Sequence, residues 1–329
     1  MPLSIVLSRK ILCWDRDSLR KSILKLTHDV RKGQMTNRKS ILCVLGLMPA
    51  FILVATAAEA PKLTFTFTKN NVPGAMQTFP GGVNNAGVKV GQFEDKNSAF
   101  HGYILKGKKV TQLDDPNGTA TSANNVNPGG AISVVGLYLN SSGAPVGFLY
   151  KDGKYTDIPG PKGSTGSSAD AINDAGAIVG YYLDSSGIAH GFLFKGKKYT
   201  TLDVPGATAT LPTGINTRGW ICVQWADSRG ALQSSLTKNS GKTYKNINVP
   251  GSTESGVLDL NAAGDVSYLW LDASGATHGA LLHGGKYYKY DYPKAVFTYG
   301  GGINDQSVIT GGFQTTRGGP MSGFKATYK

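Results

Sequence analysis

Cysteine and arginine are scarce in this 329-residue chain once its first sixty residues are set aside. From residue 61 onward there is one cysteine, Cys222, so no disulfide framework can form within that part of the chain. The same part has three arginines, Arg218, Arg229 and Arg317. Nucleic-acid readers rely on arginine forks and a concentrated basic face, so we predict no nucleic-acid partner.

Positive charge is concentrated at the N-terminus, where residues 1–60 hold ten Lys or Arg and four Asp or Glu. Arg38 and Lys39 precede an apolar run from Ile41 to about Ala57, and small residues follow. This order is typical of a secretory signal peptide over residues 35–60, cleaved after residue 57, 58 or 60. The alternative is an uncleaved anchor helix. We expect a secreted or periplasmic protein with no membrane span in its mature form.

Residues 1–34 form a basic N-terminal extension ahead of that leader. Two interpretations stay open. Either translation begins at Met35 and the upstream start is wrongly assigned, or the leader has an unusually long basic region. The remaining residues, 61–329, are predicted to form a single domain.

A unit of about 44 residues repeats six times in residues 61–329. Its clearest anchor is an asparagine before a turn, present as Asn84, Asn127, Asn173, Asn216, Asn261 and Asn304, with spacings of 43, 46, 43, 45 and 43 residues. A second anchor, the proline of "VPG"-like turns, lies 11 residues before the asparagine in five units and 14 before it in the other. Two anchors kept in register indicate an internal structural repeat.

Each unit predicts four short β-strands and no helix. Stretches such as "AIVGYYLD" and "HGFLF" are rich in β-branched and aromatic residues, and glycine-containing turns separate them. Four strands in about 44 residues indicate one blade of a β-propeller, although a β-solenoid is an alternative. The sixth unit stops before its last strand, which the segment Leu63–Thr68 would supply. We therefore predict an all-β, six-bladed β-propeller, closed by its N-terminal strand.

The phrases "HGF" and "DVPGA" resemble the HAF-type extracellular repeat of secreted bacterial proteins. The resemblance covers residues 63–329 and implies a repeat type without implying an activity. The histidine is present at His101, His190 and His278 but is replaced in the other three units. A metal or catalytic set would not tolerate such loss, so we interpret these histidines as structural. The repeated asparagines are interpreted as turn caps, with an ion-binding ring on the channel axis as the alternative.

Lysines collect in the turn between the third and fourth strands of each unit, as in the two "KGKK" turns. One interpretation is solvated hairpins that protect a strand edge. The other is a basic rim for acidic polysaccharide or an anionic cell-envelope surface, with Lys108, Lys109, Lys197 and Lys198 as candidate ligand-binding residues.

The fourth unit departs most from the repeat and contains Trp220 and Trp225, which are candidate stacking residues for a neutral glycan. One aromatic position recurs in every unit and is predicted to pack between blades. Its residues are Phe93, Tyr138, Tyr182, Trp225, Trp270 and Phe313.

Catalytic motifs are absent from the sequence. Residues 61–329 hold two glutamates, Glu94 and Glu254, and one histidine outside the repeated position, His283. There is no nucleophile elbow, HExxH motif, phosphate-binding loop or EF-hand-type calcium loop. The sequence predicts no cofactor and no metal, and favours a monomeric binding or scaffold protein. The alternatives are a propeller enzyme, such as a glycan lyase or hydrolase with a site in the central funnel, and a purely structural envelope protein.

Overall fold

The computed structural model describes residues 63–329, so the predicted extension and signal peptide lie outside the described residues. The described chain folds into 24 β-strands arranged in six four-stranded antiparallel sheets. Each sheet is one blade of a ring, and the prediction of a six-bladed β-propeller is confirmed. Within residues 63–329, no helix is long and apolar enough to cross a membrane.

Each blade is a meander that runs outward from the axis of the ring. The innermost strands follow the "VPG"-like turns and are β2 (Gln77–Val83), β6 (Ala120–Val126), β10 (Gly166–Ile172), β14 (Ala209–Ile215), β18 (Glu254–Leu260) and β22 (Phe297–Ile303). The second strands are β3 (Lys89–Glu94), β7 (Ser133–Leu139), β11 (Ile178–Leu183), β15 (Ile221–Ala226), β19 (Val266–Leu271) and β23 (Val308–Gln314).

The third strands are β4 (Phe100–Lys106), β8 (Pro145–Lys151), β12 (Ala189–Lys195), β16 (Leu232–Thr237), β20 (Thr277–His283) and β24 (Ser322–Tyr328). The outermost strands are β5 (Lys109–Leu113), β9 (Lys154–Ile158), β13 (Lys198–Thr201), β17 (Lys245–Asn246), β21 (Lys286–Tyr290) and, from the start of the described chain, β1 (Phe65–Lys69). We number the blades 1 to 6 by their inner strands, from β2 to β22.

The first strand closes the ring, as the sequence predicts. β1 pairs antiparallel with β24 from Phe65 opposite Tyr328 to Lys69 opposite Phe324. Phe67 packs edge-on against Phe324, with 5.4 Å between the ring centroids. The inner strands β2 and β22 also contact each other, so blades 1 and 6 meet at the axis as well as through the outer strand.

Apolar side chains between neighbouring blades form the core. Of the six recurring aromatic residues, Phe93, Tyr138, Trp270 and Phe313 are buried, whereas Tyr182 and Trp225 are half-buried. Burying such rings contributes about 2–3 kcal/mol each. The predicted packing role therefore holds fully in four blades and partly in blades 3 and 4.

The repeated asparagines cap their turns and also join the blades. In blade 1 the Asn84 Oδ1 accepts hydrogen bonds from the backbone N–H groups of Ala86 and Val88, at 3.1 and 2.9 Å. The Nδ2 atoms of Asn173, Asn216, Asn261 and Asn304 each donate to the backbone oxygen of the next blade's asparagine, at 2.9–3.2 Å. Because these side-chain groups are engaged in the protein, the structure favours the capping role over an ion-binding ring.

Candidate functional site

The turns divide between two faces of the ring. One face carries the asparagine turns and the hairpins between third and fourth strands, and we call it the lysine face. The opposite face carries the "VPG"-like loops, the turns between second and third strands and the repeated histidines, and we call it the histidine face. A ligand that covers one face therefore contacts only one of these two sets of turns.

Surface charge is segregated between the faces. Leaving aside the C-terminal residue, the lysine face has thirteen Lys or Arg that are not buried, which are Lys106, Lys108, Lys109, Lys151, Lys154, Lys195, Lys197, Lys198, Arg218, Lys238, Lys242, Lys245 and Lys286. Against them stand three acidic residues, Asp152, Asp174 and Asp305. The histidine face has seven Lys or Arg against ten Asp or Glu that are not buried. The ring therefore presents a basic surface and an acidic surface back to back.

The four predicted lysines all lie on the lysine face and are fully exposed. Lys108 and Lys109 belong to the outer hairpin of blade 1, and Lys197 and Lys198 to that of blade 3. The hairpin of blade 2, with Lys151 at its start, lies between them. The structure thus places the four lysines on one arc of the rim, in two clusters separated by a third basic hairpin.

The structure does not bring the two candidate tryptophans together. Trp220 precedes β15 on the lysine face, and Trp225 lies near the other end of the same strand. Five residues of extended strand span roughly 17 Å. The Lys238 Nζ covers the Trp220 ring, 3.4 Å from its centroid, and the Trp225 Nε1 donates to the Ser235 Oγ at 2.9 Å. One short glycan cannot stack on both rings.

Each repeated histidine is held between two aspartates on the histidine face. In blade 3 the His190 Nδ1 lies 2.7 Å from Asp203 and its Nε2 lies 3.4 Å from Asp184, while the ring stacks on Tyr182. Burial lowers the pKa of His190, but the bonds and charges of both carboxylates outweigh this effect and leave the pKa above its usual value. Both ring nitrogens face carboxylates, which supports the structural interpretation.

Blade 4 keeps this arrangement without a histidine. Its Gln233 receives a hydrogen bond from the Asn248 Nδ2 at 2.5 Å, and its own Nε2 points to Asp227 at 3.5 Å. Where the histidine becomes a glutamine, one of the two aspartate positions becomes an asparagine. This matched replacement indicates that blade 4 keeps the hydrogen bonds of the histidine arrangement but not its charges.

The inner strands carry residues that do not repeat from blade to blade. Every inner strand has a β-bulge that shifts its register against the second strand. The bulge residues are Gly81, Asn124, Asp170, Thr213, Leu258 and Gly301, and the residues after them are Gly82, Asn125, Ala171, Gly214, Asp259 and Gly302. Bulges re-aim side chains and are common beside functional sites. The chain therefore varies its sequence at the wall of the central channel.

A polar pair crosses the channel axis. The Asn125 Nδ2 of blade 2 donates to the Asp259 Oδ2 of blade 5, directly across the ring, at 3.3 Å. The same carboxylate accepts backbone N–H groups of Leu260 and Ile303, at 2.9 and 3.3 Å. Gly82 lies so close to Asn125 that a Cβ there would be 2.5 Å from the Asn125 Oδ1. Small residues in the other blades thus make room for one cross-channel bond.

Two cavities meet at this cross-channel bond. The one toward the lysine face is small, about 20 Å³, and is lined both by polar residues of the asparagine turns and by six aliphatic side chains, Val83, Val126, Ile172, Ile215, Leu260 and Ile303. The one toward the histidine face has about 170 Å³. Asp170 and Asn124 reach into it, with the Asn124 Nδ2 2.9 Å from the Asp170 Oδ1. The larger cavity combines apolar walls with a few polar groups, as ligand-binding cavities do.

Comparisons with known proteins support the fold of the chain but assign it no activity. No protein-family profile and no curated protein sequence matches the chain. It is similar to the solved structure of the Trypanosoma rangeli sialidase, with a TM-score of 0.51 and 11% identity over 81% of this chain and 59% of that chain. The chain thus spans less than two thirds of the sialidase's length.

Two further solved structures are similar. A putative TolB from Agrobacterium tumefaciens has a TM-score of 0.51 and 12% identity, over 82% of this chain and 99% of that chain. TolB from Acinetobacter baumannii has a TM-score of 0.51 and 11% identity, over 74% and 67%. At such identities the likeness shows the fold alone, and the resemblance to HAF-type repeats stays a prediction.

The two channel carboxylates make stability depend on pH. Burial raises the pKa of Asp259 to about 7 and that of Asp170 to about 6. The ordinary pKa of an unfolded aspartate is near 4, so between pH 4 and 7 the folded chain binds more protons than the unfolded chain. The free energy of unfolding should therefore fall as pH rises through this range.

We expect Asp259→Asn to flatten this pH dependence. One unit of pKa difference corresponds to roughly 1.4 kcal/mol, so the wild type should lose on the order of 2 kcal/mol between pH 5 and pH 8 that the variant retains. Urea unfolding at both pH values measures the change within each protein. Asp152→Asn, an exposed hairpin residue on the lysine face, is the matched control. An equally steep change in Asp259→Asn would assign the dependence to other groups.

Proposed function

We propose that the chain is an exported binding propeller that holds an acidic polysaccharide against its lysine face. The observation that carries this proposal is the segregation of charge, with thirteen cationic side chains against three acidic ones on that face and an acidic excess on the other. A surface of one sign attracts a polymer of the other.

The geometry of the rim supports a polymer over a small anion. The basic hairpins belong to blades 1 to 5, whereas in blade 6 the paired strands β24 and β1 are not consecutive and no hairpin joins them. The basic hairpins are exposed and lie on separate blades, so each binds a single anion weakly. A repeating anionic chain engages several hairpins at once, which raises its overall affinity through local concentration.

We expect replacement of Lys108, Lys109, Lys197 and Lys198 by Gln to weaken binding of polygalacturonate at least about tenfold at low salt. The wild-type interaction should itself weaken steeply with added salt, since exposed charges are screened beyond about 8 Å at physiological ionic strength. Biolayer interferometry on immobilised polymer, with neutral dextran as the comparison polymer, measures both effects. The melting temperature should stay unchanged because exposed lysines contribute little to stability.

A charge-matched variant separates the lysine face from net charge. Replacing Lys69, Lys96, Lys162 and Lys294 by Gln removes four exposed cations from the histidine face. This control should bind polygalacturonate as tightly as the wild type does at physiological salt. Equal losses in the two variants would reduce the effect to overall charge. Tight, salt-insensitive binding of dextran that is lost in Trp220→Ala would instead favour a neutral glycan.

A further inference from the structure

We propose that the larger channel cavity binds a small organic cation that enters from the histidine face. The cavity is formed by the inner strands and the second strands of the blades, on the histidine-face side of the Asn125–Asp259 bond. It is separate from the lysine hairpins, and its ligand has the opposite charge. The proposal is therefore independent of polysaccharide binding.

The cavity contains hydrogen-bond acceptors that the protein leaves unused. Gln92 is 95% buried and lines the cavity, and its Oε1 has no partner among the described residues. Its Nε2 is engaged by the backbone oxygen of Thr121 at 3.4 Å. A buried acceptor without a partner costs about 1–3 kcal/mol. A ligand that carries N–H donors would satisfy this atom.

Asp170 offers a second acceptor. Its two side-chain hydrogen bonds, from the Asn124 Nδ2 at 2.9 Å and the Ser168 Oγ at 2.5 Å, both end on Oδ1. Within residues 63–329 the Oδ2 atom receives no hydrogen bond, although the side chain borders the cavity. Two donors hold the carboxylate in one orientation, so its second oxygen is presented to the cavity in a fixed position.

Charge decides the class of ligand. Asp170 and Asp259 both border the cavity, and no Lys, Arg or His of the described chain does. The histidine face through which a ligand would enter also has an acidic excess. Buried carboxylates that no cation neutralises carry a desolvation cost that a cationic ligand relieves. An anionic ligand would meet repulsion both at the entrance and inside.

The walls favour an organic cation over a metal ion. Phe79, Tyr181 and Tyr299 contribute aromatic rings, and Leu137 and Leu211 add aliphatic surface. Aromatic faces attract organic cations. No group of three metal-ligating side chains occurs among the described residues. A volume of about 170 Å³ is close to the roughly 150 Å³ of an engineered cavity that takes up benzene.

The direction of entry follows from what closes the other end. Toward the lysine face the Asn125–Asp259 bond crosses the axis, and beyond it the aliphatic side chains and the asparagine turns leave about 20 Å³ of space. A cavity of that size holds about one water molecule. An organic cation therefore reaches Asp170 from the histidine face.

Benzylammonium and its neutral isostere benzyl alcohol test the proposal on the intact chain. Calorimetric titration at pH 8 should show that the wild type binds benzylammonium at least about tenfold more tightly than benzyl alcohol. Asp170→Asn should abolish this preference while keeping the amide oxygen that Asn124 and Ser168 bind. Asp152→Asn, which removes an equal charge from an exposed hairpin on the lysine face, should keep the preference.

The outcomes are decisive in both directions. Equal binding of the two probes, equal binding by wild type and Asp170→Asn, or no saturable binding of benzylammonium would overturn the proposal. A thermal melt of Asp170→Asn establishes that the variant is folded. Saturation-transfer NMR with the Gln92→Leu variant provides a second test. Because this variant lacks the Oε1 acceptor, it should also bind benzylammonium more weakly than the wild type does. Polygalacturonate binding should be the same in Asp170→Asn and Gln92→Leu as in the wild type, so failure here leaves the function of the lysine face untouched.

Discussion

Deleting Leu63–Thr68 should lower the melting temperature by about 10–20 °C and make the protein prone to aggregate. The deletion removes nearly all of β1 and leaves β24 as an unpaired edge, which is a template for association with other chains. It also removes Phe65, whose ring lies 4.7 Å from that of Tyr290, and Phe67. Lost hydrogen bonds and apolar burial together amount to about 5 kcal/mol, and each kcal/mol shifts a domain of this size by about 2–4 °C.

Point substitutions in the same strand separate side-chain burial from strand pairing. Phe65 and Phe67 face the core and are partly buried, whereas Thr66 and Thr68 between and after them are exposed. Replacing both phenylalanines by Ser should reproduce much of the loss, and replacing both threonines by Ser should change little. Differential scanning calorimetry gives the comparison. An unchanged melting curve for the deletion would mean that β1 is not needed to close the ring.

The second large effect is expected from a single methyl group at the axis. A Cβ at Gly302 would lie 2.5 Å from the Gly82 Cα and 2.7 Å from the Val83 backbone nitrogen. Both are backbone atoms, so no side-chain rotation relieves the clash. Gly302→Ala should therefore force blades 6 and 1 apart and cost about 3 kcal/mol of unfolding free energy, at the upper end for overpacking.

The matched substitution is Gly129→Ala, where a Cβ would meet only the Asp174 carboxylate, at 3.4 Å or more. It adds the same methyl group on the lysine face at ordinary contact distance. Chemical denaturation should show a near-wild-type midpoint for Gly129→Ala and a lower one for Gly302→Ala. Equal midpoints would show that the junction between blades 6 and 1 can widen without cost.

The repeat anchors were sufficient to predict the architecture. Asn84 and its five equivalents mark the turn after each inner strand, and the missing strand of the sixth unit predicts the role of Leu63–Thr68. The second role of the asparagines, which is to join neighbouring blades, cannot be predicted from the sequence of one repeat. Bonds such as the one from the Asn216 Nδ2 to the Asn261 oxygen depend on how closely neighbouring blades approach.

The repeated residues do not predict the channel site, because its carboxylates are not part of the repeat. Asp170 and Asp259 each occur once, at neighbouring positions of different blades. An alignment of the six inner strands shows two variable columns directly before the aliphatic residue that ends each strand. That Asn125 meets Asp259 could not be read from the sequence, since it requires blades 2 and 5 to face each other across a closed ring.

The tryptophan pair illustrates the reverse problem. Trp220 and Trp225 are close in sequence and belong to the most divergent unit, which suggested one site. Along a strand, an odd separation of five residues places side chains on opposite sheet faces and far apart. Once the bounds of β15 are known, strand periodicity is enough to predict that the two rings lie far apart.

The outer strand of blade 6 also limits the order in which the strands can pair during folding. Thr64 hydrogen-bonds Lys329, 265 residues later in the chain. The first described strand therefore has no partner until β24 has been synthesised. Contacts between such distant parts of a chain slow folding and expose intermediates to association. Each of blades 1 to 5 is built from consecutive strands, whereas blade 6 is complete only when β1 pairs with β24. A chain truncated before β24 should therefore leave β1 and β23 with unpaired edges.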